Sequence, residues 1–146
     1  MEKQLQISLP DDWLDVSAEN PDGPPTFMWN REEASAALQI TAAQYSGGEK
    51  PYPSELELLK IAERFGREHR FGKQQSSFSG PCQVGSFGTA IFLPDESADE
   101  DAPKHAQIWI LSNGLDFIFV TLLAMAPPHH RELAGAQQIV DELRFH

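Results

Sequence analysis

Ile108-Trp109-Ile110-Leu111-Ser112-Asn113-Gly114-Leu115-Asp116-Phe117-Ile118-Phe119-Val120 is the stretch on which the fold turns. Two runs rich in β-branched and aromatic residues, 104–112 and 115–125, flank Asn113-Gly114. Both turn residues tolerate positive φ, so the string predicts a β-hairpin closed by a two-residue turn. A hairpin pairs antiparallel, and the sheet built around it is expected to follow. Toward the N-terminus, residues 84–93 are again β-rich, and their glycines mark a bulge or a close backbone approach. Before them stands the clearest helix start in the chain, Pro53-Ser54-Glu55-Leu56-Glu57. Ser54 can accept the Glu57 N–H while the Glu57 side chain reaches back, a capping box. Leu58, Ile61, Ala62 and Phe65 continue as an apolar stripe; Gly66 weakens it by about 1 kcal/mol, and Gly72 is the predicted stop.

Farther out, residues 26–29 and 37–42 read as strands around the charged turn Asn30-Arg31-Glu32-Glu33, and Leu5, Ile7 and Leu9 alternate as in a half-buried strand. Residues 20–25 and 46–53 are loops by their Pro and Gly content. After Pro127-Pro128, Leu133, Ala136, Ile139, Val140 and Leu143 recur at helical spacing, closing in Leu143-Arg144-Phe145. No internal repeat is visible. The order is strands, helix, strands, helix. This predicts an α+β fold, a mostly antiparallel sheet with two main helices packed on it, in one domain spanning residues 1–146. Leu58, Ile61, Phe65, Leu133, Ile139, Val140 and Leu143 are the expected buried helix positions.

Composition bounds the function. The 146 residues carry 22 acidic and 11 basic side chains, a formal charge of −11. Hydrophobic residues make up 40%, too many for a disordered tail. A nucleic-acid binder needs cations to neutralise phosphates, and an anionic membrane surface would repel this chain. The single cysteine, Cys82, leaves no internal disulfide and no cysteine-built zinc site. The N-terminus has no apolar run of signal-peptide type, and residues 115–127 fall short of the ~20 that a membrane span requires. A cytoplasmic protein is the expectation.

Ile7-Ser8-Leu9-Pro10-Asp11-Asp12-Trp13-Leu14-Asp15-Val16-Ser17 resembles the opening of PsbP-like proteins, a strand followed by Leu-Pro, an acidic residue or Gly, Trp and polar residues. The ending is similar too: a long strand from Phe117 to Met125, then Ala126-Pro127, then a helix. The resemblance covers most of the chain and implies an α/β/α sandwich. Bacterial members include chaperones encoded beside type VI secretion effectors, envelope proteins and immunity proteins of toxin pairs. It implies a binding module and supplies no catalytic residues.

The residues themselves offer little chemistry. Of the five histidines, His129 and His130 are adjacent, and neighbouring positions on a helix diverge by about 100°, a poor chelate. Ser86 in Gly85-Ser86-Phe87-Gly88 lacks the Gly-x-Ser-x-Gly spacing of a nucleophile elbow. Gly80, Gly85 and Gly88 lack the lysine of a phosphate loop. Cys82 has no adjacent histidine and reads as a buried or half-buried thiol. No catalytic residue, metal ligand or cofactor is expected. Asp95, Glu96, Asp99, Glu100 and Asp101 put five acids in seven residues between two strands. They read as a solvated connector or as a lure that speeds encounter with a basic partner, and they lack the alternate acids and central Gly of an EF-hand. Residues 54–73 carry a net +1, so the remainder carries −12. Arg64, Arg67 and Arg70 there suit the helix dipole. Tyr45 and Tyr52, on the loop around Gly47-Gly48-Pro51, are the aromatics expected at the surface and at an interface.

Two functions follow as expectations. One is a non-enzymatic protein-binding module, either an immunity protein neutralising a basic toxin or an effector-associated chaperone, as a monomer or homodimer. A chaperone should expose a sizeable apolar groove, whereas immunity by steering needs the acids. The alternative is a small-molecule-binding or hydrolytic domain with a pocket between sheet and helices, holding convergent polar groups and perturbed carboxylates.

Overall fold

A computed structural model describes residues 4–96 and 100–145. In chain order the strands are β1 (Leu5–Gln6), β2 (Trp13–Asp15), β3 (Thr26–Trp29) and β4 (Ala36–Ala43), followed by helix α1 (Glu55–Glu68). Then come β5 (Lys73–Pro81), β6 (Ser86–Leu93), β7 (His105–Ser112) and β8 (Phe117–Ala124), helix α2 (His130–Asp141) and β9 (Arg144–Phe145). Seven strands form one antiparallel sheet in the order β2-β3-β4-β8-β7-β6-β5, while β1 and β9 pair separately and bring the two ends of the chain together. The α+β architecture and the two packed helices are as the sequence predicts.

The helices lie on opposite faces. On one face, Ala136, Ile139 and Val140 of α2, with Leu143, join Trp13, Phe27, Trp29, Leu38, Ile40 and Trp109 in one core. On the other, Leu58 and Ala62 of α1 join Phe71, Ala90, Phe92, Ala106, Ile108 and Ile110. Strand β7 is therefore buried from both sides, which is why its sequence runs Ile-Trp-Ile-Leu without polar alternation. Two glycines set the helix heights. A Cβ on Gly88 of β6 would strike the backbone of Leu58 and Leu59, and one on Gly135 of α2 would strike the Trp13 ring.

Several local expectations need correction. The turn at Asn113-Gly114 has four residues, because Asn113 Oδ1 accepts the N–H groups of both Leu115 (3.0 Å) and Asp116 (2.7 Å). The side chain thus does the closing, and only Gly114 adopts positive φ. Helix α1 ends before Gly72. Arg70 N–H donates to Arg67 O and Phe71 N–H to Gly66 O, a Schellman motif with Arg70 at the left-handed position, φ 56°. Glycine usually occupies that position, and an L residue there costs ~1–2 kcal/mol. Strand β5 (73–81) carries little strand signal in its sequence, because its serines and glutamines lack β-branched character; only Phe78 marks it. The last helix stops at Asp141, and Arg144–Phe145 is strand, not helix end. Leu58, Ile139, Val140 and Leu143 are buried as expected, but Ile61, Phe65 and Leu133 are only half-buried. Ile61 and Phe65 pack at the margin of the α1 core, and Leu133 at that of the α2 core, each short of full cover.

Candidate functional site

Because α1 packs on β5, β6 and β7, the half of that face made by β4, β3 and β2 carries no helix among the described residues. A cavity of about 410 Å³ opens where the covered and uncovered halves meet. Ile108 and Ile110 of β7 with Phe119 and Leu123 of β8 line it from the sheet. Phe65, His69 and Phe71 close the α1 side; the Phe65 and His69 rings stack at 4.0 Å, and His69 and Phe71 at 5.6 Å. The Schellman turn makes this wall, since it folds Phe71 back beside Phe65. Gln39, Thr41 and Thr121 complete the lining, Gln39 and Thr121 directly opposite each other across β4 and β8. These three supply neutral donors and acceptors, and no carboxylate, thiol or cation lines the cavity among the described residues. Among the described residues His69 is the one titratable group in the wall, and its Nδ1 contacts the Phe65 carbonyl at 2.9 Å.

The apolar surface extends beyond the cavity. Leu123 stands opposite Ala37. The register of β3 on β4 sets Met28 next to Ala37, and Leu14 of the edge strand β2 opposes Met28. Leu14 is 47% exposed. An apolar row thus runs from the cavity across the bare half-sheet to its edge.

The residues singled out from sequence do not converge. Asp95, Glu96, Glu100 and Asp101 are exposed, and Asp99 lies outside the described residues. Asp95 and Glu96 border a shallow recess with Lys73 and Gln75. Tyr45 and Tyr52 sit at the other end of β7, roughly 24 Å away by strand length. Tyr45 is half-buried rather than exposed: its N–H donates to the buried carboxylate of Asp116 (2.7 Å) and its hydroxyl to Gly48 O. Tyr52 is 63% exposed and its N–H donates to Gly114 O. Both tyrosines are therefore pinned to the β7–β8 turn, and the acids are not part of that cluster. His129 is the N-cap of α2, just outside the helix, so its ring stacks on His130 (4.3 Å) instead of diverging from it. Its Nδ1 is committed to the Arg131 N–H. No group of three or more His, Cys, Asp or Glu could hold a metal ion among the described residues. Cys82 is half-buried between β5 and β6, and burial pushes its thiol pKa up, which keeps it protonated and unreactive at neutral pH.

A pocket between sheet and helices belongs to the alternative expectation, but the residues that line this cavity are not legible in the sequence. They come from three strands, β4, β7 and β8, and from the end of α1 with the turn after it, and no local pattern in the sequence joins them. No helix among the described residues is long and apolar enough to cross a membrane. No protein-family model and no curated protein matches the chain. A solved structure of a protein from Bacteroides thetaiotaomicron VPI-5482 is similar at a TM-score of 0.47 and 13% identity, over 95% of this chain and 44% of that one. The chain thus spans less than half the length of that protein.

Proposed function

We propose that the chain is a non-enzymatic protein-binding module of the bacterial cytoplasm that shelters an apolar segment of a partner protein in the cavity beside α1. The observation that carries this reading is the cavity and the apolar row leading from it to the sheet edge. The wall's lack of carboxylates and thiols among the described residues supports holding over hydrolysis. Between the two roles that the PsbP-like resemblance implies, an exposed apolar groove supports the effector-associated chaperone. Immunity by steering draws its support from the acidic segment alone, and that segment is remote from Tyr45 and Tyr52.

The test is calorimetric titration with short amidated peptides bearing an apolar run, against two variants. Thr121→Trp fills the cavity from β8, and a second variant replaces Asp95, Glu96, Glu100 and Asp101 with Asn or Gln. Binding with a negative heat-capacity change, lost in Thr121→Trp and kept in the neutralised variant, is the expected result. Loss in the neutralised variant with full binding by Thr121→Trp overturns it.

A further inference from the structure

We infer that the apolar segment received by the cavity carries an acidic side chain next to its apolar run, and that Arg70 binds this carboxylate at the cavity mouth. The inference rests on the cavity being the binding element. Arg70 stands between His69 and Phe71, both of which line the cavity. Its backbone is left-handed, φ 56°, at a helix end where glycine would fit without strain. Nothing that its side chain does within the fold accounts for an arginine there: it is exposed and has no hydrogen bond or ion pair among the described residues. Helix-dipole complementarity accounts for cations in the last turn, but it does not require one at a strained position beyond the helix.

The charge around it is local and unusual for this chain. Residues 64–73 hold Arg64, Arg67, Arg70 and Lys73 against Glu68 alone, in a protein of net charge −11. The opposite wall, Gln39, Thr41 and Thr121, is uncharged and can take backbone or amide groups but gives a carboxylate no counter-charge. A guanidinium fork fits a carboxylate in two parallel hydrogen bonds. An apolar segment with an adjacent Asp or Glu therefore satisfies wall and mouth together.

Amidated peptides whose apolar run is followed by glutamate, glutamine or lysine separate the possibilities. On the wild-type chain the glutamate peptide is expected to bind about threefold to fivefold more tightly than the glutamine one, with lysine weakest, and the spread should narrow with salt. Arg70→Gln should level the three affinities. Arg70→Gly should level them too while raising the urea midpoint, opposite signs that a merely structural arginine would not produce. Equal affinities on wild type, or a glutamate preference that survives Arg70→Gln, overturns the inference and leaves the cavity as the binding element. Failure of every apolar peptide, whatever its charge, removes both.

Discussion

Glu132 is fully buried, and its removal gives the sharpest stability forecast. Its Oε2 accepts the N–H groups of Ser35 and Ala36, both at 3.0 Å, where the chain enters β4. Its Oε1 accepts the Ser35 hydroxyl and the His129 N–H, both at 3.3 Å. One carboxylate thus caps α2 and ties that helix end to the first residue of a central strand. In Glu132→Ala two inward-facing backbone donors lose their only acceptor, at ~1–3 kcal/mol each, and the capping contribution goes as well; we expect a loss of about 3–5 kcal/mol. Glu132→Gln is milder. Its amide oxygen can keep both backbone donors while its nitrogen donates to the Ser35 oxygen, so only the His129 contact is lost, about 1 kcal/mol. Urea unfolding followed by tryptophan emission reads both, since Trp13, Trp29 and Trp109 are all core residues. A Glu132→Ala protein within about 1 kcal/mol of wild type refutes the clamp.

Two further outcomes follow from burial. Phe65→Ala should cost less than the ~3–5 kcal/mol typical of a core phenylalanine, because Phe65 is half-buried at the cavity wall; a full core-sized loss in urea unfolding contradicts that placement. His105 has a buried Nε2 without a partner among the described residues, and burial lowers its pKa below the ordinary value of 6.5. The neutral ring is the one the fold favours, so its stabilising effect is whole above pH ~6.5 and is lost as pH falls through the ordinary value toward the depressed one. Urea midpoints measured at pH ~7.5 and ~5.5 should therefore drop more in wild type than in His105→Gln, and equal drops refute the assignment.

What sequence revealed here is what local pattern encodes. The capping box at Ser54 and Glu57 is present atom for atom, with both bonds at 3.1 Å, because all its partners lie within one turn. The hairpin was legible for the same reason, although its turn length was not, since Asn113 closes it through a side chain that composition cannot orient. Strand β5 escaped because its bonds to β6, not its residue types, hold it in the sheet. The site was least legible. Gln39, Thr121, Ile108 and Phe65 meet only when β4, β8, β7 and α1 assemble, and a mid-length apolar residue reads the same whether it lines a cavity or fills a core. Arg70 illustrates the limit: only the backbone shows that it occupies a glycine's position.

The central claim is that binding happens at the α1-side cavity. Amide and methyl NMR shifts recorded while an apolar peptide is added test it directly. The account predicts that the shifts concentrate on Thr41, Phe65, Phe71, Ile110, Thr121 and Leu123, and trail along Met28 to Leu14. Shifts confined to Asp95, Glu96, Glu100 and Asp101, with the cavity signals unmoved, would contradict it.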